Sequence, residues 1–243
     1  MTEPVGRNLD GAVVAVVGAG GGLGAAMARC LAGRGASVIL AGRRAETLAR
    51  TTEGDTRLGG SLQVVCDVRD PTAGDTLVDA VGRHGGVLDG VVFAHGVVAF
   101  GNLVDTSDEV IEELFLTNVM GPLWMLKRVV PLLAAPPGSR TGGFVVNLSA
   151  VVAESPLAGM SVYSATKGAL SAADTALTRE LRRVGISVCD VRPPHTETGL
   201  ANRPLAGSAP RLPEGLAPEM VAEIVVNAVV AGATEVPSGA FGN

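Results

Sequence analysis

Aromatic residues are scarce in this chain: five Phe, one Trp and one Tyr among 243 residues, 3% in all. An interior with so few rings has to be filled by Val, Leu, Ala and Ile packed around small residues. That suits helices lying on a parallel sheet whose strands are buried on both faces. Basic runs are also missing. No Lys/Arg run exceeds two residues and the net charge is −5, so there is no electrostatic footprint for a nucleic-acid backbone. No apolar run is long enough to span a bilayer. The first ten residues carry Glu3, Arg7 and Asp10 and no apolar stretch, so neither a membrane partner nor a secretory leader is expected, and the expected compartment is the cytoplasm. The three cysteines, Cys30, Cys66 and Cys189, stand alone without C-x-x-C or metal spacing, and no metal site is expected. What is abundant is glycine, at 33 residues, and apolar side chains, at 47%, a composition that excludes a disordered chain.

Apolar runs alternate with helical patterns. Strands are expected at 12–17, 37–41, 62–66, 88–94, 143–149 and 186–191. Helices are expected at 23–34, 45–52, 72–84, 161–184 and 219–231. A further long helix should start after Ser107 as N-cap and run towards Leu133, with Pro122 kinking or restarting it. This cadence predicts βαβ units with right-handed crossovers: an α/β, Rossmann-like, doubly wound parallel sheet with helices on both faces, forming one domain over 1–243. Residues 136–143 read as a Pro/Gly-rich connector. Residues 193–218 form a long Pro- and Gly-rich segment, expected to be a substrate loop or lid.

The first strand runs into Gly18-Ala19-Gly20-Gly21-Gly22-Leu23-Gly24. A glycine-rich turn that follows a buried strand and opens a helix lets a ligand approach the backbone. It also aims free N–H groups and the positive end of the helix dipole at a pyrophosphate. The second strand ends in Gly42-Arg43-Arg44. A carboxylate there would bind a ribose 2′-hydroxyl, whereas two guanidiniums with no carboxylate suit a 2′-phosphate, which points to NADP(H). Tyr163 and Lys167 stand at i and i+4 on one helical face, where an ammonium can favour a phenolate and allow proton transfer near neutral pH.

The glycine spacing at Gly18, Gly22 and Gly24, followed about 140 residues later by Tyr163-Ser164-Ala165-Thr166-Lys167, resembles the short-chain dehydrogenase/reductase family from Val13 to about Leu200. The resemblance implies hydride transfer between a nicotinamide cofactor and a carbonyl or alcohol carbon of a small-molecule substrate. It makes Tyr163 the acid/base and Lys167 its charge partner and a ligand of the nicotinamide ribose. Asn118 would organise a relay water. Asp67 and Val68 match the adenine contact, Gly96 survives from the family's Asn-Asn-Ala-Gly, and Thr198 matches the residue that binds the carboxamide. A homodimer or homotetramer through the small-residue helix is implied too.

Departures mark the site as atypical. Val17 replaces a Thr, Phe93-Ala94-His95-Gly96 replaces Asn-Asn-Ala-Gly, and Pro194 replaces a Gly. Position 150, thirteen before Tyr163, is Ala where the family places its catalytic Ser. Ser149 is the neighbouring candidate, although alternation along a strand should turn it away unless the backbone bulges. Glu154, Met160 and His195 are candidate substrate-contacting residues. Mostly apolar walls at 151–160, 97–103 and 194–213 suggest a hydrophobic substrate. Two alternatives stay open: a non-redox enzyme on this fold using Tyr163, His195 or Glu154 as acid/base, and a binding protein that keeps the fold as a scaffold.

Overall fold

The computed structural model describes residues 6–134 and 142–242. Among these described residues, seven parallel strands form one sheet: β1 Val13–Val17, β2 Ser37–Gly42, β3 Leu62–Val65, β4 Gly90–Phe93, β5 Phe144–Leu148, β6 Ser187–Val191 and β7 Glu235–Val236. Their order is β3-β2-β1-β4-β5-β6-β7, so the direction of winding reverses between β1 and β4. A crevice forms at such a switch point, outside the carboxyl ends of the strands.

Both faces of the sheet are covered. Along β1, Val14 and Val16 point into one apolar cluster, with Met27 and Leu31 of helix α1 (Gly22–Gly33) and Val225 of helix α7 (Pro218–Ala231). Ala15 and Val17 point into the other, with Leu77 of α3 (Ala73–Arg83) and Met125 of α5 (Gly121–Leu133). The period-two alternation of a strand thus assigns successive valines to opposite layers, and the small aliphatic composition fills both. Helix α2 (Ala45–Thr52) follows β2 in the same way.

Several expectations needed correction. The long helix after Ser107 is interrupted: α4 (Asp108–Phe115) passes into a π-helical turn at Leu116–Met120 before α5 begins. Pro122 lies in the first turn of α5, which continues directly from the π-helical turn. Helix α6 (Ser161–Leu181) ends before 184, and a short 3₁₀ turn leads to Gly185 in the left-handed conformation. The C-terminal segment supplies β7, a strand of two residues too short to leave a periodic signal. Most of the 136–143 connector lies outside the described residues.

Candidate active site

The carboxyl ends of β1 to β6 border a cavity of about 400 Å³. One wall is the glycine turn. Gly18 has φ +91°, and a Cβ on it would stand 2.7 Å from the backbone nitrogen of His95. A Cβ on Gly24 would stand 2.1 Å from the carbonyl oxygen of Gly18. Both positions therefore need glycine, the first for its dihedral and the second for close approach of helix to turn. The N-cap residue of α1 is Gly21, which has no side chain to cap the helix, and Gly20, Gly21, Gly22 and Leu23 line the cavity there. Thr198 sits against Gly22, the Cβ position of which lies 2.9 Å from the Thr198 Cα.

The far end of this wall is basic. Gly42, Arg43 and Arg44 line it beside Asp67 and Val68. Asp67 accepts hydrogen bonds from the Arg69 side chain at 2.6–3.1 Å, and that guanidinium, itself paired with Glu113 at 3.0 Å, holds its carboxyl below the usual carboxylate range.

The opposite wall comes from α6. Tyr163, Lys167, Leu170 and Asp174 recur at helical spacing on the buried face, so the tyrosine and lysine arrive together. The Lys167 Nζ donates to the Leu148 carbonyl oxygen at 2.8 Å and lies 5.8 Å from the Tyr163 ring centroid. Burial pulls the Lys167 ammonium down to about 8, against the neighbouring carboxylates Asp190 and Asp174. Burial pushes the Tyr163 phenol up. A Cβ on Gly96 would lie 3.3 Å from the Asn118 Oδ1 and 3.6 Å from the Lys167 Nζ, so these three positions meet in one corner. The Asn118 side chain is itself engaged. Its Oδ1 accepts from Val97 N at 2.9 Å, and its Nδ2 donates to Val97 O at 2.9 Å and to the Thr166 hydroxyl at 3.2 Å.

The residues before α6 resolve the serine question. Ala150 lines the cavity and shares an apolar cluster with Tyr163, Val152 and Leu114. Ser149 borders the cavity as well, but its hydroxyl is engaged: it donates to Asp190 Oδ1 at 2.5 Å and lies 3.0 Å from the Val191 carbonyl oxygen. Ser149 therefore borders the cavity with its hydroxyl already committed to Asp190, at the interface between α6 and the sheet. Glu154 is corrected. It pairs with the Arg192 Nε at 2.9 Å and with Ser238, outside the cavity lining. Met160 and His195 do line the cavity, and the His195 Nε2 lies 3.2 Å from Glu197.

His95 lines the cavity too, beside the glycine turn, with its Nε2 3.2 Å from the Thr117 carbonyl oxygen. Burial, reinforced by the Lys167 charge, pulls its pKa down to about 4, so the ring is neutral at pH 7. Residues 194–217 fold back over the mouth, where Leu205 N bonds Val98 O at 2.8 Å and Phe100 N bonds Ala206 O at 2.9 Å. Val98, Phe100, Leu157, Leu200 and Leu212 make this end of the cavity apolar.

Sequence reasoning missed Asp174 and Asp190. Asp174 lies seven residues after Lys167 on the face that holds Tyr163, a spacing that could have found it. Asp190 directly neighbours Asn147 in the β5–β6 register.

Sheet order, glycine turn at the switch point and the Tyr/Lys helix opposite together define a doubly wound α/β protein of Rossmann type. The chain belongs to the short-chain dehydrogenase/reductase family, residues 12–207 matching the short chain dehydrogenase family, and is an oxidoreductase of that type. An uncharacterised oxidoreductase of Methylorubrum extorquens is 34% identical over 207 residues, 82% of this chain and 79% of that protein. A ketoacyl reductase of Nostoc is 30% identical over 230 residues, 94% of this chain and 78% of its own. Among solved structures, a short chain dehydrogenase/reductase from Burkholderia phymatum in complex with NAD superposes with a TM-score of 0.84 at 24% identity, covering 95% of this chain and 90% of that one. Among the described residues no helix is long and apolar enough to cross a membrane.

Proposed function

We propose that this oxidoreductase uses NADP(H) to interconvert a carbonyl and an alcohol on a small apolar substrate. One observation carries the reading: the N-terminus of α1, the Arg43–Arg44 pair and the Tyr163–Lys167 pair all open onto one cavity. The residues fit such a cofactor. The helix N-terminus and glycine turn suit a pyrophosphate, and the two guanidiniums beside a β2 end without a carboxylate suit a 2′-phosphate. Asp67 and Val68 would flank the adenine. Gly96 and Lys167 would hold the nicotinamide ribose, and Thr198 the carboxamide.

The bound cofactor supplies or accepts hydride. The chain's own residues do the rest. Tyr163 gives the substrate oxygen its proton in the reducing direction and takes it back in the other. Burial raises the pKa of the phenol, and Lys167, 5.8 Å from the ring centroid, would work against that rise, because a nearby cation favours the phenolate. Asn118 closes the corner behind Lys167 and fixes the π-helical turn against Val97. Val98, Phe100, Leu157 and Met160, with the 193–218 segment as a substrate loop, would exclude water and select an apolar substrate. A second copy would pack on the outer face of α6, where Gly168 has open space beyond its Cβ position; light scattering measures that state. The test of function is calorimetric titration with NADPH and NADH, followed by NADPH consumption over a panel of apolar ketones. Failure to bind NADPH overturns the reading.

Ala150 favours one competing reading, a non-redox enzyme of the same fold that uses Tyr163 and His195 for acid/base chemistry. Product of unchanged oxidation state, formed without NADPH loss, is its signature.

A further inference from the structure

Behind the cavity, the interface between α6 and the sheet holds a buried polar ladder. Asp174 is 1% exposed, Asn147 1%, Ser149 3%, Lys167 4% and Asp190 6%. Asp190 is fully engaged: its Oδ1 accepts from Ser149 and its Oδ2 from Ser171, both at 2.5 Å. Asp174 is not. Its Oδ1 accepts from the Asn147 Nδ2 at 2.5 Å, while its Oδ2 and the Asn147 Oδ1 both lie buried without a partner among the described residues.

Two orphaned acceptors on a carboxyl and a carboxamide that already share one hydrogen bond are an expensive arrangement if the carboxyl is ionised. One proton on the Asp174 Oδ2 converts that oxygen into the donor that the pair lacks. The carboxylic acid and the carboxamide then complement one another, and no charge is buried there. The surrounding groups agree. Facing Asp174 are Lys167 and Ser171 from α6, Asn147 from β5, and Cys189 and Asp190 from β6, with Arg192, Glu154 and Glu235 beyond Asp190. Burial, with the neighbouring Asp190 carboxylate, pushes the Asp174 carboxyl up to about 8.

We propose that Asp174 holds a proton at neutral pH, shared with Asn147, and acts as a positioning residue that keeps Lys167 charged as the pH rises. Its consequence for catalysis rests on the Tyr163–Lys167 reading above. At neutral pH Lys167 has one buried counter-charge within its layer, Asp190. On the alkaline side, where a buried ammonium would lose its proton, Asp174 ionises and supplies a second. The only bonds broken or made are O–H and N–H, and the Asp174 proton goes to solvent base.

The composition makes this directly measurable, since the chain has two lysines, Lys127 and Lys167, and Lys127 is exposed. With ¹³C-labelled lysine, the two Cε signals are titrated by NMR in the wild type and in Asp174→Asn, without cofactor or substrate. The expected result is a Lys167 midpoint at least half a pH unit lower in the variant, roughly a threefold loss of proton affinity, with Lys127 unmoved. An unchanged or raised midpoint overturns the proposal. Infrared spectroscopy of ¹³C-aspartate-labelled wild type gives a second arm that does not depend on the variant folding. A carbonyl stretch from a protonated carboxylic acid should be present at pH 7 and disappear as the pH passes about 8. Its absence at pH 7 overturns the proposal. Neither arm involves NADPH, so failure here and failure of the functional reading are separate results.

Discussion

Ala150 and Tyr163 share one buried cluster on the cavity wall, while Ser149, one residue earlier, gives its hydroxyl to Asp190 on the neighbouring strand. A methyl group therefore stands where a donor would meet a substrate carbonyl beside the phenol. Ala150→Ser places a hydroxyl in that space without touching the Asp190 network. If turnover is carbonyl reduction, kcat should rise by about ten- to a hundredfold, since one donor to a developing oxyanion is worth on that order or more. Steady-state NADPH oxidation checks it. A rate that stays level or falls supports the non-redox reading.

The same geometry gives Ser149→Ala an opposite signature. Its hydroxyl makes a buried hydrogen bond to Asp190, so its removal leaves an acceptor short of a donor. The expected cost is about 2 kcal/mol, or roughly 5 °C in Tm, with NADPH turnover retained within about threefold. Calorimetry beside kinetics separates the two serine-related positions. A large loss of kcat at unchanged Tm would restore Ser149 to the chemistry.

The sheet was legible because its strands are continuous aliphatic runs, and the glycine turn and the Tyr/Lys pair because each has a fixed local spacing. The departure at Ala150 was legible by counting back from Tyr163. Other features were not local. Glu154 looked like a carboxylate in an apolar stretch because its partners, Arg192 and Ser238, are 38 and 84 residues away. The π-helical turn at Leu116–Met120 has no period of its own, since it inserts one wider turn into a pattern that reads as continuous helix. Asp174 and Asp190 become a pair only when α6 packs across β5 and β6.

The glycine turn has little tolerance. In Gly24→Ala the added methyl would stand 2.1 Å from the Gly18 carbonyl oxygen, a backbone atom that can yield only by moving the turn. The chain should still fold, because the clash is confined to the rim of the cavity. NADPH affinity should fall at least tenfold, as the N–H groups at the start of α1 lose their alignment. Circular dichroism together with calorimetric titration measures both. Unimpaired NADPH binding would place the pyrophosphate elsewhere.

Arg43 and Arg44 test the choice of cofactor. Neither has a carboxylate at the end of β2 to compete for it, and both line the cavity. Replacing both with Ala should weaken NADPH by about tenfold or more and leave NADH within about threefold, because only the 2′-phosphate is lost as a partner. The ratio of the two Kd values is the readout. Equal losses for both cofactors would show that the arginines do not read the 2′ position.

His95 sets an acid limit to stability. Its folded pKa is lowered to about 4 from an ordinary value of 6.5, chiefly by burial. Between those values the unfolded chain binds a proton that the folded chain refuses, so this residue makes stability fall as the pH drops from 6.5 towards 4. Above 6.5 both states hold a neutral ring and the contribution is flat. Asp174 acts in the opposite sense over part of this range: its folded pKa is raised, so it contributes most at low pH and that contribution is lost as the pH rises towards 8. The two are separated by comparing the wild type with His95→Asn, which keeps a donor for the Thr117 carbonyl oxygen and cannot titrate. Denaturant unfolding at pH 4.5 and at pH 7 should give the wild type a larger loss on acidification than the variant. Equal losses would mean that the ring accepts its proton in the folded state, which would require it to leave the pocket between the glycine turn and Thr117.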